Sequence, residues 1–132
     1  MTAAPVAEVA HTSARIVDTR TGLGGSGPTT AGATMTFTAA GQGGVPPSGA
    51  TGVVLNVTVT NPTEPGFVQV FPAGTSAPGA SSTVNVDHPG QTISDLVIVG
   101  LDAAGRFSIH TQSPTHLVVD VFGYFVPAAA SD

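Results

Sequence analysis

Apolar and polar side chains alternate along most of this chain with a period of two residues. In the segment 53–60, every odd position is valine or leucine, and positions 56, 58 and 60 are asparagine or threonine. The segments 67–71, 83–87 and 107–110 alternate in the same way. Successive side chains of a β-strand point to opposite faces, so this period predicts strands with one apolar face. No window carries a 3.6-residue apolar stripe, and we expect little or no helix.

Segments rich in glycine, proline, asparagine or aspartate separate these alternating stretches and are typical of turns. They are 22–28, 41–48, 61–66, 72–79, 88–90 and 102–105. The pattern predicts an all-β fold, a β-sandwich or jelly roll of about eight short, mostly antiparallel strands. Two segments, 96–99 and 117–121, are apolar on both faces, which predicts central strands that are covered on both sides.

The length of 132 residues fits one domain. We predict a single β-sandwich domain over 13–126, a flexible N-terminal arm over 1–12 and a C-terminal tail over 127–132. The longest apolar run, 117–126, is interrupted by Asp120 and Gly123 and is too short to span a bilayer.

Charge is sparse in this chain and excludes two classes of partner. Charged residues make up 8% of the sequence, the formal net charge is −5, and the three cationic side chains are Arg15, Arg20 and Arg106. A nucleic-acid binder needs a basic surface to neutralise phosphates, and an anionic membrane attracts basic segments. We therefore expect neither nucleic acid nor membrane as a partner. The chain has no cysteine, so disulfides and thiolate metal sites are excluded.

Four of the few charged residues concentrate near the two ends of the predicted domain. Arg15, Asp18 and Arg20 lie within six residues, and Asp120 lies inside the most apolar segment. An unpaired carboxylate buried there would cost several kcal/mol. We predict that Asp18 or Asp120 pairs with Arg15 or Arg20, and that these four residues with Thr19 form a structural clasp between the first and last strands. The alternative is a ligand site in which the arginines bind a carboxylate or sugar hydroxyls.

No arrangement typical of a catalytic or metal site is present. The four histidines lack the close spacing of metal ligands, and they are His11, His88, His110 and His116. There is no Gly-x-Ser-x-Gly elbow. The glycine-rich run 22–27 has no lysine and no following helical pattern, both of which a phosphate loop needs. We therefore predict that the protein is not an enzyme and binds no metal or cofactor.

Threonines dominate the polar side of two predicted strands. These are Thr34, Thr36, Thr38, Thr58 and Thr60. One interpretation is a solvated sheet face. The other is a flat, neutral contact surface for a glycan or a neighbouring subunit.

Five motifs, in order along the chain, resemble those of one protein family. They are Arg-Ile-Val-Asp-Thr-Arg at 15–20, the strand 53–60, Pro-Gly-Phe-Val at 65–68, Pro-Gly-Gln-Thr-Ile-Ser-Asp-Leu-Val at 89–97 and Asp-Val-Phe-Gly-Tyr-Phe at 120–125. The chain thereby resembles a β-module of secreted and surface proteins of actinobacteria, which is also plausible in phage structural proteins. It departs from the family in having Asp95 where asparagine is usual, and it lacks the cysteine pair that some members carry. The resemblance implies a non-catalytic module and no particular ligand.

Two functional hypotheses follow from these observations. The first is a structural protein on the surface of an assembly, a phage virion decoration or tail component at the virion surface. It is favoured because the chain resembles exported modules but begins with Met1 and shows no signal peptide. Its partners would be other copies of itself, for example in a trimer, and a shell or tail protein.

The second hypothesis is a carbohydrate- or cell-wall-binding module of a secreted actinobacterial protein. Such a module would be extracellular or associated with the cell wall, and its partner would be a cell-envelope glycan. Sugar-binding platforms use exposed aromatic rings, and this chain has no tryptophan and one tyrosine. The aromatic content therefore favours the first hypothesis.

Overall fold

Eight β-strands form the part of the chain that the computed structural model describes, which is residues 6–75 and 82–127. The strands are β1 Val6–Asp18, β2 Ala33–Thr38, β3 Gly52–Thr60, β4 Gly66–Pro72, β5 Ser82–Val86, β6 Ile93–Gly100, β7 Arg106–Thr111 and β8 His116–Pro127. No helix long and apolar enough to cross a membrane occurs in these two segments.

The strands form two four-stranded sheets that pack as a β-sandwich. The first sheet has the order β1-β8-β3-β6, and the second has the order β2-β7-β4-β5. Every strand pair is antiparallel. The period-two side chains of both sheets meet between them, where Leu55, Val57, Phe107 and Ile109 are fully buried. The predicted all-β sandwich is confirmed.

The predicted central strands have different positions in the sheets. β8 lies inside the first sheet, as predicted for 117–121. Leu117, Val119 and Val121 are fully buried on the core side, and Val118 on the other side is 4% exposed. β6 is an edge strand, and Leu96 and Ile98 are 60% and 64% exposed. The prediction that 96–99 is covered on both sides is therefore wrong. The apolar composition of 96–99 shows that these side chains favour burial. Whether they are buried depends on which segment packs over the outer face of the strand.

The predicted N-terminal arm is partly a strand. Residues 6–12 belong to β1, and the pairs Val6–Pro127 and Ala10–Gly123 join them to the end of β8. The small-residue composition predicted mobility, but the long edge of β8 supplies backbone hydrogen-bond partners for this segment. Pro127, assigned to the predicted tail, is the last residue of β8. Residues 1–5 of the predicted arm and 128–132 of the predicted tail lie outside the described residues.

Candidate functional site

The two ends of the domain meet where β1 pairs with β8. Arg15 and Asp120 are cross-strand partners, and the Arg15 Nε donates to the Asp120 Oδ1 at 2.9 Å. This hydrogen bond is the main reason why the pKa of Arg15 is raised. The ion pair therefore links the first and last strands on the outer face of the first sheet.

Asp18 ends β1 and has a buried side chain, which is 5% exposed. It accepts hydrogen bonds from the backbone N–H of Arg20 at 3.1 Å and from the Arg20 Nε and Nη2 at 2.9 Å each. The Arg15 Nη1 lies 3.6 Å from its Oδ2. The side-chain hydrogen bonds from Arg20, opposed by desolvation, hold the pKa of Asp18 at about 2.

The two arginines of this cluster both bind carboxylates within the chain, although their side chains are 47% and 44% exposed. A ligand site would need guanidinium donors directed to an external acceptor. The geometry therefore favours the structural clasp over the ligand site that the sequence left open.

Thr19 continues the attachment of β1 to β8. Its backbone N–H donates to the Leu117 carbonyl at 3.0 Å, and its buried Oγ1 accepts the Leu117 N–H at 3.0 Å. The Thr19 Oγ1 also lies 2.8 Å from the His116 Nδ1. Thr19 thus extends the clasp beyond the last paired residue of β1.

A second polar network, which the sequence did not predict, lies at the end of the sandwich where three connections meet. The Thr111 Oγ1 donates to the Thr29 Oγ1 at 2.9 Å, and the Thr115 N–H donates to the same oxygen at 3.1 Å. The Thr115 Oγ1 donates to the Thr60 carbonyl at 3.1 Å. All four threonines are buried. Only the neighbouring prolines of the turns mark these threonines in the sequence, so tertiary structure was needed to find them.

Replacing Thr115 with valine should lower the free energy of unfolding by about 1–3 kcal/mol, because the isosteric methyl group leaves the Thr60 carbonyl without its buried donor. Urea denaturation of both proteins measures the difference. The matched control is Thr51→Val, whose hydroxyl donates to the Phe125 carbonyl at an exposed position, and we expect it to change stability by at most about 0.5 kcal/mol. Equal losses in the two variants would contradict a structural role for the buried network.

The threonines of the two polar strand faces, for which a solvated face and a contact surface were both considered, lie on opposite sides of the sandwich. Thr34, Thr36 and Thr38 are exposed on β2 in the second sheet, and the Thr34 Oγ1 lies 2.9 Å from the His110 Nδ1. Thr58 and Thr60 lie on β3 in the first sheet. Thr60 is 8% exposed and bonds Thr92 at 3.0 Å. The five residues therefore form no single surface, and Thr60 is not available to a partner.

Four apolar side chains share the outer side of the first sheet and are named here the outer apolar face. They are Val54, Leu96, Ile98 and Phe122. Ile98 is the cross-strand partner of Val54, whose partner on β8 is Gly123, the residue after Phe122. Leu96, Ile98 and Phe122 are 60%, 64% and 38% exposed. The first sheet thus presents aliphatic groups to solvent on β6 and an aromatic ring on β8, whereas Val54 on β3 is 7% exposed.

Two open clefts flank the glycine-rich connection between β1 and β2. Their volumes are about 420 Å³ and about 310 Å³, and Gly24, Thr36 and Phe37 border both. The residues that line the larger cleft are threonines, serine, glycines and apolar residues, none of which titrates near neutral pH. The cleft therefore supplies no group for general acid–base catalysis.

Among the described residues, the histidines and acidic residues do not gather into a metal site. No group of three or more potential metal ligands occurs within the residues whose positions are described. His110 lies against Phe67, His116 bonds Thr19, and the His88 Nδ1 lies 3.1 Å from the Pro89 carbonyl. The side chain of His11 lies outside the described part.

Comparisons with models of protein families, with curated proteins and with solved structures give no match. The resemblance to an actinobacterial β-module stays a prediction that rests on the five sequence motifs.

Proposed function

We propose that the chain is a non-enzymatic structural module of a protein assembly and that it binds a neighbouring subunit through its outer apolar face. The exposure of Leu96 and Ile98, at 60% and 64%, carries this proposal. Removing apolar surface from water stabilises a contact by roughly 25 cal/mol per Å². Contiguous exposed apolar patches with a polar rim are typical of interaction sites.

The charged groups of the described surface support docking over catalysis. Arg15, Arg20 and Arg106 bind Asp120, Asp18 and Asp102 respectively, and the Arg106 Nη2 lies 2.8 Å from the Asp102 Oδ2. These arginines are all the Lys and Arg residues of the chain. A partner therefore meets a surface whose cations are already neutralised, and apolar contact is the main attraction that the first sheet offers.

The setting that we propose is the surface of a phage particle, where the chain is a decoration or tail component. Such particles present many copies in symmetric arrays, in which one face of each subunit meets a fixed neighbour. The neighbour is a shell or tail protein or another copy of this chain. The sparse charge of the sequence, 8% of residues, suits close packing between neutral surfaces.

The alternative, binding of a cell-envelope glycan, has less support in the arrangement of the aromatic side chains. Sugars stack on exposed, flat aromatic rings. Phe122 is the exposed aromatic residue among those described, and the other exposed members of the outer apolar face, Leu96 and Ile98, are aliphatic. This mixed apolar strip suits a protein surface better than a pyranose ring.

Hydroxyl-radical footprinting of the native assembly tests the proposal. Cultures that produce the chain are fractionated by sedimentation, and oxidation of Leu96 and Ile98 is compared between the assembled chain and the chain released by denaturant and refolded. We expect strong protection of both residues in the assembly. Leu23, which is 45% exposed on another edge of the sandwich, is the matched control and should be oxidised more evenly in the two states.

Two outcomes would contradict the proposal. One is a chain that never sediments with an assembly and instead binds purified cell-wall polysaccharide. The other is equal oxidation of Leu96 and Ile98 in the assembled and released states, which would show that the outer apolar face is free.

A further inference from the structure

β1 consists of two parts that differ in how they pair with β8. Residues 6–10 pair with 123–127, and the next paired residue of β1 is Ala14, opposite Val121. Between these two stretches β1 advances by four residues, from 10 to 14, while β8 advances by two, from 123 to 121. We name residues 6–13 the strap. The last three residues of the strap interrupt the ladder between β1 and β8.

The two parts of β1 also differ in burial. Val9 in the strap is 36% exposed, and the described residues that follow it, up to Ser13, are exposed as well. In the second part, Ile16 and Val17 are 8% and 1% exposed and belong to the core. The structural clasp begins at Arg15 and therefore also lies outside the strap. The described side chains of the strap thus add little burial, whereas the rest of β1 is fixed by the core and by ion pairs.

The outer end of the strap extends past the neighbouring strand of the sheet. On the other side of β8, the ladder with β3 ends at the pair of Gly52 with Phe125. Residues 126 and 127 lie beyond this pair, and the strap is their paired neighbour among the described residues. The first residues of the strap therefore pair with a part of β8 that β3 does not support.

Gly123 allows the strap to lie close to β8. A Cβ atom at this position would lie 2.7 Å from the Val9 carbonyl oxygen and 3.3 Å from the Ala10 Cα. Both atoms belong to the backbone of the strap. A side chain at position 123 would therefore displace the strap first.

Backbone hydrogen bonds alone hold such a segment weakly. The net contribution of one hydrogen bond to stability is similar in size to the entropy that is lost when one residue becomes ordered. Burial of apolar side chains normally shifts this balance towards the ordered state. Segments with few buried contacts therefore open locally while the rest of the domain stays folded.

We propose that the strap opens from β8 as a unit, with residues 11–13 as its hinge, while the sandwich stays folded. The closed strap occupies the edge of β8 at 123–127, and the open strap leaves backbone groups of this edge unpaired. Unpaired strand edges accept further strands. The strap therefore controls whether β8 can pair with another segment. This inference goes beyond the proposed docking function and does not depend on the outer apolar face.

Hydrogen–deuterium exchange of the full chain, measured by mass spectrometry of its peptides, tests the inference. We expect the hydrogen-bonded amides of 6–10 to exchange at least about a hundredfold faster than those of 16–19. Exchange in the strap should not change in low concentrations of urea, because a local opening exposes little surface. Exchange in 16–19 should become faster with urea, because it requires the sandwich to unfold.

A disulfide that closes the strap provides a second measurement. Cross-strand partners of an antiparallel pair have Cα atoms about 4.5–5.5 Å apart, a distance that a disulfide spans. The chain has no cysteine, so Ala7→Cys combined with Val126→Cys creates one disulfide at a paired position. The oxidised variant should exchange the amides of 8–10 at least about tenfold more slowly than the reduced variant. Exchange in 16–19 should stay within about twofold in the two states.

Gly123→Ala should have the opposite effect on the strap. Because its Cβ atom meets the Val9 carbonyl, we expect exchange of 6–10 to become at least about tenfold faster. The matched control is Gly100→Ala at the end of β6, where the nearest atom to the added Cβ lies at an ordinary 3.5 Å. This control should leave exchange in the strap within about twofold of the original. Circular dichroism establishes that each variant is folded before its exchange is interpreted.

Three results would overturn the inference. One is equal exchange of 6–10 and 16–19 in the unmodified chain, which would make β1 a single cooperative unit. Another is exchange of 6–10 at the rate of an unstructured peptide, which would show that the strap does not close. The third is an oxidised double-cysteine variant whose strap exchanges as fast as that of the reduced variant.

Discussion

Replacing Gly24 with alanine should destabilise the domain by about 3 kcal/mol or more. Gly24 has a φ of +72°, where a Cβ atom is strained, and a Cβ placed there would lie 2.7 Å from the Ile16 carbonyl oxygen. This atom belongs to the backbone of β1 and cannot turn away as a flexible side chain could. The connection after β1 would have to move, and with it the two hydrogen bonds between Asp18 and Leu23.

Gly27 in the same connection provides the matched control for this prediction. Its φ is +80°, but a Cβ placed there meets nothing within 4 Å. Gly27→Ala therefore measures the cost of the left-handed conformation alone, which we expect to be about 1 kcal/mol. Chemical denaturation of both variants measures the two losses of stability, and their difference gives the cost of a Cβ atom at position 24 so close to β1. Similar losses for the two would show that this approach is not a constraint.

Asp18→Asn should lower the melting temperature by several degrees. Asparagine keeps the shape of the side chain and an oxygen that accepts the Arg20 N–H, but it removes the charge that faces both Arg20 and Arg15. The control is Asp102→Asn, which also removes a carboxylate paired with an arginine in a turn. The side chain of Asp102 is more exposed, 17% against 5%, so we expect a smaller change there. An equal or larger effect at Asp102 would contradict a special role for Asp18.

The unmodified chain and the Asp18→Asn variant should also differ in how their stability depends on pH. The hydrogen bonds from Arg20 lower the pKa of Asp18 from 3.8 to about 2 in the folded chain. A depressed carboxyl pKa stabilises the fold above the unfolded pKa, and this contribution is lost as the pH falls through the folded value. The advantage of the unmodified chain over Asp18→Asn should therefore shrink between about pH 4 and about pH 2. Denaturation midpoints of both proteins at pH 6 and at pH 2 measure this advantage. The same difference between the two midpoints at both pH values would contradict the pairing of Asp18 with Arg20.

The fold class could be predicted because both of its determinants are local. In 53–60 the period of two places one set of side chains in the core and the other outside, wherever the strand lies in the sheet. The turn segments rich in glycine and proline divide the chain in the same way for any arrangement of the strands. The pairing of β1 with β8 was suggested by charge, since Asp120 in an apolar segment requires a partner.

The order of the strands could not be predicted from these local patterns. The segment 96–99 has the composition of a central strand, but β6 lies at an edge and exposes Leu96 and Ile98. The sheet to which Thr58 and Thr60 belong could not be predicted either. They recur at every second position as the threonines of β2 do, but they lie in the other sheet. The buried network around Thr115 depends on three connections that are distant in sequence.

The sequence by itself indicated an all-β fold, a sandwich or a jelly roll, with few charges and with Asp120 in an apolar segment, where a carboxylate needs a partner. These properties depend on neighbouring residues and on the cost of burying unpaired charge. Only the tertiary structure decided which strand is an edge, which side of each sheet remains open, and which threonines are buried. These properties depend on contacts between distant segments, and they place the outer apolar face at Leu96 and Ile98.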